Sequence, residues 1–303
     1  MGGLLLAVGC SKNDTHDGTV RVVHQFGETT LSSPPKRVVS AGFTEQDDLL
    51  AVGVIPVAVT NWWGNQPFAV WPWAQPKLGT AQPAVLSLEN GLQFDQIAAL
   101  HPDLIVATNA GVDQESYNRL SAIAPTIAQS GVEPFFEPWT AQASAIGQAV
   151  FQADTMESLV NDAQSRLSAV ADAHPTFKDR KALLLQGTLW DDSVVATLPG
   201  WRTDFLTRMG LAMAEDPTNY RVDDHRAFIP KDKAAEVLRG ADVLIWTTES
   251  DAEGATITAL DIAAPNKSVF TGKDLAGAIA FSSPLSLPVV AEQLPPLLSK
   301  VLG

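Results

Sequence analysis

Residues suited to ligand recognition are concentrated in one segment, Asn61 to Trp73, with the sequence NWWGNQPFAVWPW. It contains Trp62, Trp63, Trp71 and Trp73, which are half of the 8 tryptophans of the chain. An indole buries about 150–250 Å² and offers a flat apolar face with one N–H donor. Prolines, a glycine and asparagines interrupt the segment, which is typical of a loop. The indoles of such a loop can face a ligand or pack onto their own domain.

A second candidate group lies in the segment LPGWRTDFL, Leu198 to Leu206, where Trp201 and Arg202 precede the first turn of a predicted helix. Arginine carries a permanent charge and forked donors that match carboxylate oxygens. The positive end of the helix adds to this field. Arg202 is therefore a candidate contact for an anionic ligand, and a solvated surface arginine is the alternative.

Catalytic signatures are absent from the sequence: there is no Gly-x-Ser-x-Gly, HExxH, P-loop or GxGxxG motif. His225 stands beside Asp223 and Asp224 and could form an acid–base group, although a polar loop of this kind is typically solvated. The 5 histidines, at positions 16, 24, 101, 174 and 225, have no metal-ligand spacing. We therefore predict a protein that is not an enzyme and has no cofactor, with a hydrolase as the less favoured alternative.

The chain is acidic, with a net charge of −14 and a pI of about 4.6. This charge argues against a nucleic-acid partner or an anionic membrane surface, because both need basic footprints. A small anionic ligand is still compatible, since salt screens charges beyond about 8 Å and a local arginine outweighs the distant total.

The one cysteine, Cys10, follows the apolar run Leu4 to Gly9 and precedes a polar run that ends at Gly18. This arrangement resembles the end of a bacterial lipoprotein signal, where the cysteine becomes the lipidated N-terminus. An inert thiol in a frayed terminus is the alternative. The pattern predicts that residues 1–19 are a signal remnant and a tether. It also predicts an extracytoplasmic protein that is anchored to the cell membrane by a covalently attached lipid.

Short apolar runs that alternate with helical patterns predict an α/β fold with parallel sheets covered by helices. The predicted strands are Arg37–Ser40, Pro56–Thr60, Leu104–Thr108, Ala182–Gln186 and Val243–Trp246. Between 140 and 174 the apolar residues recur at helical spacing, which predicts one helix of about 50 Å linking two lobes. The lobes are then residues 20–139 and 175–303. A helix, a turn with aspartate and a strand occur in both, at Phe94–Val106 and Lys231–Trp246.

Several stretches, in their order and spacing around the long helix, together resemble a known family. They are Pro35–Val39, Gly53–Val57, Trp71–Ala74, Ile97–Ile105, Ile123–Thr126 and Ala241–Trp246. From about Val20 onward the chain resembles the FecB- and FhuD-like substrate-binding proteins of iron–siderophore ABC importers, the helical-backbone class of periplasmic binding proteins. The resemblance implies two lobes, each a mostly parallel sheet covered by helices, joined by one long rigid α-helix. It also implies a ferric siderophore in the cleft between them.

The resemblance assigns roles to individual residues. Cleft contacts are expected from Trp62, Trp63, Trp71, Trp73, Asn109, Trp190, Trp201, Arg202 and Phe281. Neighbouring side chains alternate in extended chain, so we expect only one of Trp62 and Trp63 to face the ligand. We expect Trp71 and Trp73 to hold the shape of the loop, and Asn109 either to donate to a ligand oxygen or to form a turn.

The resemblance also implies a partner, the permease of an ABC transporter, which one acidic residue from each lobe would contact. Asp95 and Asp232 match these positions, and favourable charge at a helix N-terminus is the alternative role for both. We expect a monomer. Haem is the main alternative ligand, with Tyr220 or His225 as its axial ligand, and cobalamin is a further one.

Overall fold

The computed structural model describes residues 18–260, 262 and 264–303, so Cys10 and the polar segment after it lie outside the described residues. The strands are β1 (Val20–His24), β2 (Gly27–Leu31), β3 (Val38–Ser40), β4 (Ala58–Asn61), β5 (Ala84–Ser87), β6 (Leu104–Ala107), β7 (Thr126–Ala128), β8 (Lys181–Gln186), β9 (Ser193–Thr197), β10 (Ala212–Met213), β11 (Arg226–Pro230), β12 (Val243–Thr247) and β13 (Ser268–Phe270). The α-helices are α1 (Glu45–Ala51), α2 (Gln75–Leu78), α3 (Phe94–Ala99), α4 (Gln114–Ser121), α5 (Trp139–Ala149), α6 (Ala153–Ala173), α7 (Asp204–Arg208), α8 (Lys231–Val237), α9 (Asp251–Ala259), α10 (Lys273–Phe281) and α11 (Ser286–Leu302).

The N-terminal lobe is built on a wholly parallel sheet with the strand order β5-β4-β3-β6-β7. Its central strands β3 and β6 are buried along their whole length, which explains their largely apolar sequences. The order reverses at β3, whose neighbours are β4 and β6. The carboxyl ends of these strands therefore meet at the point where ligands bind in open α/β sheets.

The C-terminal lobe is built on a mixed sheet with the order β11-β9-β8-β12-β13, and β10 also pairs with β8. Strands β8, β12, β13 and β10 are parallel, whereas β9 is antiparallel to both β8 and β11. Only residues 187–192 connect β8 to β9, and a parallel crossover needs about a dozen residues or more. The expected mostly parallel sheet is therefore present in this lobe with an antiparallel edge.

The prediction of one continuous helix over 140–174 is wrong, because the chain forms two helices, α5 and α6, with a break between them. Phe151 in the break has a φ of 61°. A Cβ on Gly147 would lie 2.6 Å from Cβ of Met156, so the glycine allows the two helices to pack closely. The hydrophobic pattern continues through the break because both helices bury one face.

Helix α6 is the link between the lobes. Met156 near its start packs in the core beneath the parallel sheet, and Leu167 and Val170 near its end pack in the core of the C-terminal lobe. Its 21 residues span about 30 Å at 1.5 Å per residue. The two-lobed α/β fold predicted from the sequence is thus confirmed, with a shorter linking helix.

The repeated helix–turn–strand unit is present in both lobes, as α3 with β6 and α8 with β12. Its aspartate has the same role in each copy. Asp103 accepts hydrogen bonds from the backbone N–H groups of Lys36 and Arg37 at 2.7–3.0 Å. Asp242 accepts one from the backbone N–H of Lys181 at 2.8 Å. Each carboxylate therefore ties the repeat to the start of the neighbouring central strand. Among the helices described, none has both the length and the apolar character that crossing a membrane requires.

Candidate ligand-binding cleft

A cavity of about 480 Å³ lies between the lobes, and we call it the central cavity. Trp62, Trp63 and Phe136 line it from the N-terminal lobe, and Trp201 and Phe281 line it from the C-terminal lobe. This volume is typical of small-molecule sites, which occupy about 300–1,000 Å³ and combine apolar walls with a few polar groups. The cavity is therefore the strongest candidate for a ligand site in the part of the chain that the structure describes.

The strand ends of the N-terminal sheet place Trp62 and Trp63. Strand β4 ends at Asn61, so the two indoles follow its carboxyl end, as the sequence predicts. Both line the cavity, with ring centroids 6.0 Å apart and ring planes at 89°. The alternation that would turn one of them away applies to pleated strand, and the strand has already ended.

Trp71 and Trp73 lie behind the cavity wall, where they join the lobes. Trp71 is only 1% exposed, and its ring fills the space that a Cβ on Gly277 of α10 would occupy, at 2.5 Å. The two indoles stack with centroids 5.1 Å apart. The Trp73 indole N–H donates to Oδ2 of Asp47 at 2.7 Å. This placement favours bracing of the loop over direct ligand contact, and the role itself stays a prediction.

Asp47 is a junction between the lobes. Its Oδ2 also accepts a hydrogen bond of 2.7 Å from the hydroxyl of Ser283, which follows α10 in the C-terminal lobe. Thr44 and Asp47 have the spacing of a capping pair at the start of α1, but the Thr44 side chain makes no capping bond. The Asp47 carboxylate instead accepts hydrogen bonds from Trp73 and from Ser283 of the other lobe, because α1 lies inside the protein.

Helix α1 is buried along its whole length, including Glu45, Asp47 and Asp48. Burial raises the pKa of Glu45 to about 7 and that of Asp47 to about 6. Burial also raises the pKa of Asp48 well above its usual range, and the neighbouring carboxylates add to the rise. Oδ1 of Asp47 and Oδ1 of Asp48 are buried without a hydrogen-bond partner in the described structure. The sequence does not reveal this cluster, because acidic residues on a short helix usually lie at the protein surface.

Asn109 is fully buried beneath the central cavity and uses its amide within the protein. Its Nδ2 donates to Oγ1 of Thr44 at 2.9 Å, and its Oδ1 accepts from the backbone N–H of Phe136 at 2.9 Å. The side chain therefore positions a loop that lines the cleft. Donation from Asn109 to a ligand stays a prediction that this arrangement does not favour.

Arg202 brings a positive charge to the cavity wall, as the sequence predicts for its position. Its Nε is buried and has no hydrogen-bond partner among the described residues, and its guanidinium carbon lies 5.4 Å from the Phe136 ring centroid. Burial lowers the pKa of Arg202, against the opposing influence of Glu133 and Asp223. An unsatisfied donor on a cavity wall is suited to an oxygen acceptor on a ligand.

Arg226 also lines the cavity, and the sequence analysis did not single it out. It begins β11 and pairs with Asp223 at 2.8 Å. Its backbone pairs with that of Thr197 of β9, which also lines the cavity, and this pairing is not visible in the sequence. The polar neighbours of Arg226 in the sequence are instead typical of a solvated loop.

Acidic residues line other parts of the same cavity, namely Glu137, Glu249 and Glu253. Burial raises the pKa of Glu137, whose Oε2 accepts hydrogen bonds from the backbone and hydroxyl of Ser130. Burial, and then the proximity of Glu253, raises the pKa of Glu249. The cavity therefore has a cationic wall and an acidic wall, which suits a ligand with both acceptor and donor groups.

Of the three remaining residues predicted to contact the ligand, Phe281 and Trp201 line the central cavity and Trp190 does not. Phe281 is buried at the cavity and its ring centroid lies 5.8 Å from that of Trp62. Trp201 lines the cavity and donates its indole N–H to the carbonyl of Phe136 at 3.1 Å, across the lobes. Trp190 is 63% exposed on the β8–β9 turn and is not brought to the cavity wall.

The two residues expected to ligate haem are not in the central cavity. Tyr220 packs against a core of the C-terminal lobe, and His225 lies beside Glu133, with Nε2 and Oε2 3.4 Å apart. Within residues 18–260, 262 and 264–303 no group of three or more potential metal ligands is assembled. The positions of Tyr220 and His225 outside the central cavity do not favour haem as its ligand.

The two residues expected to dock on a transporter are both exposed, Asp95 in the first turn of α3 and Asp232 in the first turn of α8. Strand β5 precedes α3 and strand β11 precedes α8. Both strands end at the sheet edge on which the cavity opens, because β11 runs in the same direction as β8. The two acids thus stand on the cleft side of their lobes.

Two α/β lobes, a linking helix and an aromatic cleft between them define a bilobal ligand receptor. Comparison with known proteins agrees: the family model described as periplasmic binding protein matches residues 38–261, and the chain belongs to this family. The family consists of extracytoplasmic binding proteins rather than enzymes. The family resemblance predicted from the sequence is therefore confirmed.

Three similar proteins illustrate the relationship. A periplasmic solute binding protein from Mycobacterium smegmatis is 57% identical, with a TM-score of 0.90 over 95% of this chain and 100% of that one. The Fe(3+) dicitrate-binding periplasmic protein FecB of Escherichia coli K12 is 27% identical over 207 residues, which are 65% of this chain but only 64% of FecB. The structure of PiaA from Streptococcus pneumoniae TIGR4 in complex with ferrichrome shares the fold, with a TM-score of 0.72, 23% identity and coverage of 93% and 98%.

Proposed function

We propose that this chain captures a ferric siderophore or a similar iron(III) chelate in the central cavity and delivers it to an ABC importer. The observation that carries the proposal is the interlobe cavity, with indoles from both lobes and the unpartnered Nε of Arg202. The iron-chelate ligands named for FecB and PiaA support the same class of ligand.

The chemistry of the cavity suits such a ligand. A chelator already fills the coordination sphere of iron, so the protein has to recognise the organic shell. Trp62, Trp63 and Phe281 offer apolar faces that exclude water, and electrostatic interactions strengthen in a drier site. Arg202 can then form charge-assisted hydrogen bonds with carboxylate, catecholate or hydroxamate oxygens. Because both lobes contribute walls, bound ligand holds the lobes together.

Membrane attachment and transporter docking belong to the same proposal. We infer that Cys10 carries the lipid anchor and that the protein acts as a monomer. Asp95 and Asp232 contact basic residues of the permease, one from each lobe, while the cleft faces the transporter. Their exposure and their position on the cleft side support this role.

Tryptophan fluorescence tests ligand capture. Titration with ferric dicitrate, ferrichrome or ferric enterobactin should quench the emission with saturation, and haemin should bind more weakly. The Trp62→Phe and Trp63→Phe variants should lose most of the quenching. The Trp190→Phe variant is the matched control, because this exposed indole is away from the cavity wall and the quenching should persist. Absence of saturable quenching by every iron chelate would overturn the proposal.

Transporter docking needs a separate test in cells. The Asp95→Ala variant should bind the chelate as tightly as the wild type while its uptake falls. Glu115→Ala, an exposed acid in the first turn of α4, is the matched control and should support normal uptake. Normal uptake by the Asp95 variant would contradict the docking role.

A further inference from the structure

A second cavity, of about 460 Å³, adjoins the central one, and we call it the outer cavity. Phe43 and residues 133–136 line it from the N-terminal lobe, and residues 223–226 line it from the C-terminal lobe. Phe136, Arg202 and Arg226 line both cavities, so they form the wall between them.

Phe136 separates the two cavities, and we call it the divider. Its backbone forms hydrogen bonds with both lobes. Its backbone N–H donates to Oδ1 of Asn109 in the N-terminal lobe at 2.9 Å. Its carbonyl accepts the indole N–H of Trp201 in the C-terminal lobe at 3.1 Å. The backbone of Phe136 has a φ of 55°, in the left-handed region that side chains rarely adopt. If the lobes separate, the Trp201 hydrogen bond breaks, and Phe136 keeps its bond to Asn109 and its ring contacts with Phe43 and Trp62, all within the N-terminal lobe.

Three phenyl rings, of which two pairs have nearly parallel planes, line the outer cavity. The ring centroids of Phe43, Phe135 and Phe136 lie 5.7–6.3 Å apart, and the ring planes deviate from parallel by 18–33°. Flat aromatic faces favour offset stacking with a planar ligand group. Phe135 is 36% exposed, so part of this face is open to an incoming group.

Two arginine–aspartate ion pairs form around the outer cavity, and Arg202 takes part in neither. Arg226 pairs with Asp223 at 2.8 Å, and Asp224 pairs with Arg221 at 3.4 Å. Glu133 lies beside His225 at 3.4 Å. Arg202 makes no ion pair within 4.0 Å among the residues that the structure describes, and its Nε lacks a hydrogen-bond partner. An anionic oxygen on the ligand would complete this set.

We propose that the outer cavity is a second ligand subsite, which takes a planar aryl arm with an anionic oxygen, such as a catecholate arm of an iron chelate. The arm lies on the Phe43–Phe135 face and its oxygen accepts from Arg202, while the remainder of the chelate occupies the central cavity. Phe136 moves aside to join the two spaces when a large chelate binds. Compact chelates leave the divider in place and use the central cavity alone. This inference rests on the proposed function.

The test compares two chelates and two variants. Ferric dicitrate is compact and has no aryl group, whereas ferric enterobactin has catecholate arms. Phe43 lines only the outer cavity, and Trp63 lines only the central one. In calorimetric titrations, Phe43→Ala should weaken ferric enterobactin binding about five- to tenfold, which is the scale of one lost aromatic contact. It should leave ferric dicitrate binding within about twofold, whereas Trp63→Ala should weaken both.

A second substitution guards against a folding defect. Phe43→Trp keeps a flat aromatic face and should retain ferric enterobactin binding, with the melting temperature of each variant measured in parallel. An equal change for both chelates in Phe43→Ala, or no change for either, would overturn the second subsite and leave the proposed function intact. Wild-type protein that binds ferric dicitrate but not ferric enterobactin would also overturn it. Failure of wild-type protein to bind any iron chelate would instead remove the proposed function and this inference together.

Discussion

The N-terminal and C-terminal lobes share one supporting unit and differ in the groups that they bring to the cleft. In both, an aspartate at the amino end of a central strand binds the backbone of the neighbouring strand, Asp103 in one lobe and Asp242 in the other. The cleft residues follow the carboxyl ends of the strands. Because the support and the ligand face occupy opposite edges of each sheet, the cleft can change without loss of the support.

The charges show the difference most clearly. The N-terminal lobe keeps the carboxyl groups of Glu45, Asp47 and Asp48 buried behind its aromatic wall. The C-terminal lobe contributes the guanidinium groups of Arg202 and Arg226 at the surface of the cavity, together with the carboxyl groups of Glu249 and Glu253. One lobe therefore keeps most of its acids beneath an aromatic wall, and the other presents charged groups of both signs, including the cations that attract anionic oxygens. Complementary faces of this kind require a ligand to touch both lobes.

The largest predicted effect concerns the tryptophans that join the lobes. Trp71→Ala removes a fully buried indole at the contact with Gly277 and should lower the free energy of unfolding by about 3–5 kcal/mol. Denaturant unfolding followed by circular dichroism measures it. Trp190→Ala, at an exposed indole, is the control and should change stability by less than about 0.5 kcal/mol. Similar losses in the two variants would show that Trp71 does not brace the lobes.

The buried acids of α1 in the N-terminal lobe should make the free energy of unfolding depend on pH. A carboxyl group whose pKa is raised by folding binds protons more tightly in the native state, so stability falls as pH rises from about 4, the usual pKa of an unfolded aspartate. For Asp47, whose native pKa is about 6, this loss should be complete above pH 7. It should amount to about 2–3 kcal/mol, at about 1.4 kcal/mol for each pKa unit.

Asp47→Asn tests this assignment, because the amide oxygen can still accept from Trp73 and Ser283 but does not titrate. Stability measured by urea unfolding between pH 4 and 8 should depend less on pH in the variant than in the wild type. Glu45 and Asp48 should retain their part of the slope. If the dependence of stability on pH is the same in the variant and the wild type, Asp47 is not the group that titrates. Asp223→Asn, at a partly exposed ion pair, serves as the control.

The next effect lies in the C-terminal lobe. Arg202→Ala should weaken binding of the anionic ferric dicitrate by about 10- to 100-fold, the scale of a lost hydrogen bond to a charged group. Binding of the uncharged ferrichrome should fall much less. Fluorescence titration measures both affinities, and Arg166→Ala, at an exposed arginine of α6, is the control. Equal losses for the two ligands would assign Arg202 a structural role.

The smallest predicted effect is the difference in stability between variants of Asp103 and Asp242, the aspartates of the two repeated units. Asp103 binds two backbone N–H groups, whereas Asp242 binds one. Asp103→Ala should therefore destabilise the protein more than Asp242→Ala, each by roughly 1–2 kcal/mol, since an exposed carboxylate is partly replaced by water. Thermal unfolding of both variants measures the difference. A larger loss in the Asp242 variant would show that the two copies do not share one role.

The sequence predicts the central parallel strands of both sheets well, because such a strand is buried on both faces and becomes a continuous apolar run, whereas the hairpin and edge strands were not predicted. The stretch Leu104 to Thr108 contains β6, and Ala182 to Gln186 falls within β8. The position of the tryptophan loop at a strand end was predictable for the same reason. So was Arg202, since its helix start follows a recognisable Pro-Gly pair.

The features that the sequence did not predict depend on contacts between distant segments. Helices α5 and α6 separate at Phe151 although the break contains no proline or glycine, and the two helices pack closely at Gly147. The acids of α1 are buried although charged residues usually mark an exposed face. Trp71 is covered by Gly277, which lies more than 200 positions later in the chain. No local periodicity records which lobe a loop will meet.

The central claim is that an iron chelate binds between the lobes, and the position of the iron tests it most directly. Crystals grown with ferric dicitrate and measured at the iron absorption edge should give an anomalous difference peak in the central cavity, bounded by Trp62, Arg202 and Phe281. An iron peak confined to the protein surface, with the cavity filled only by solvent, would contradict the account.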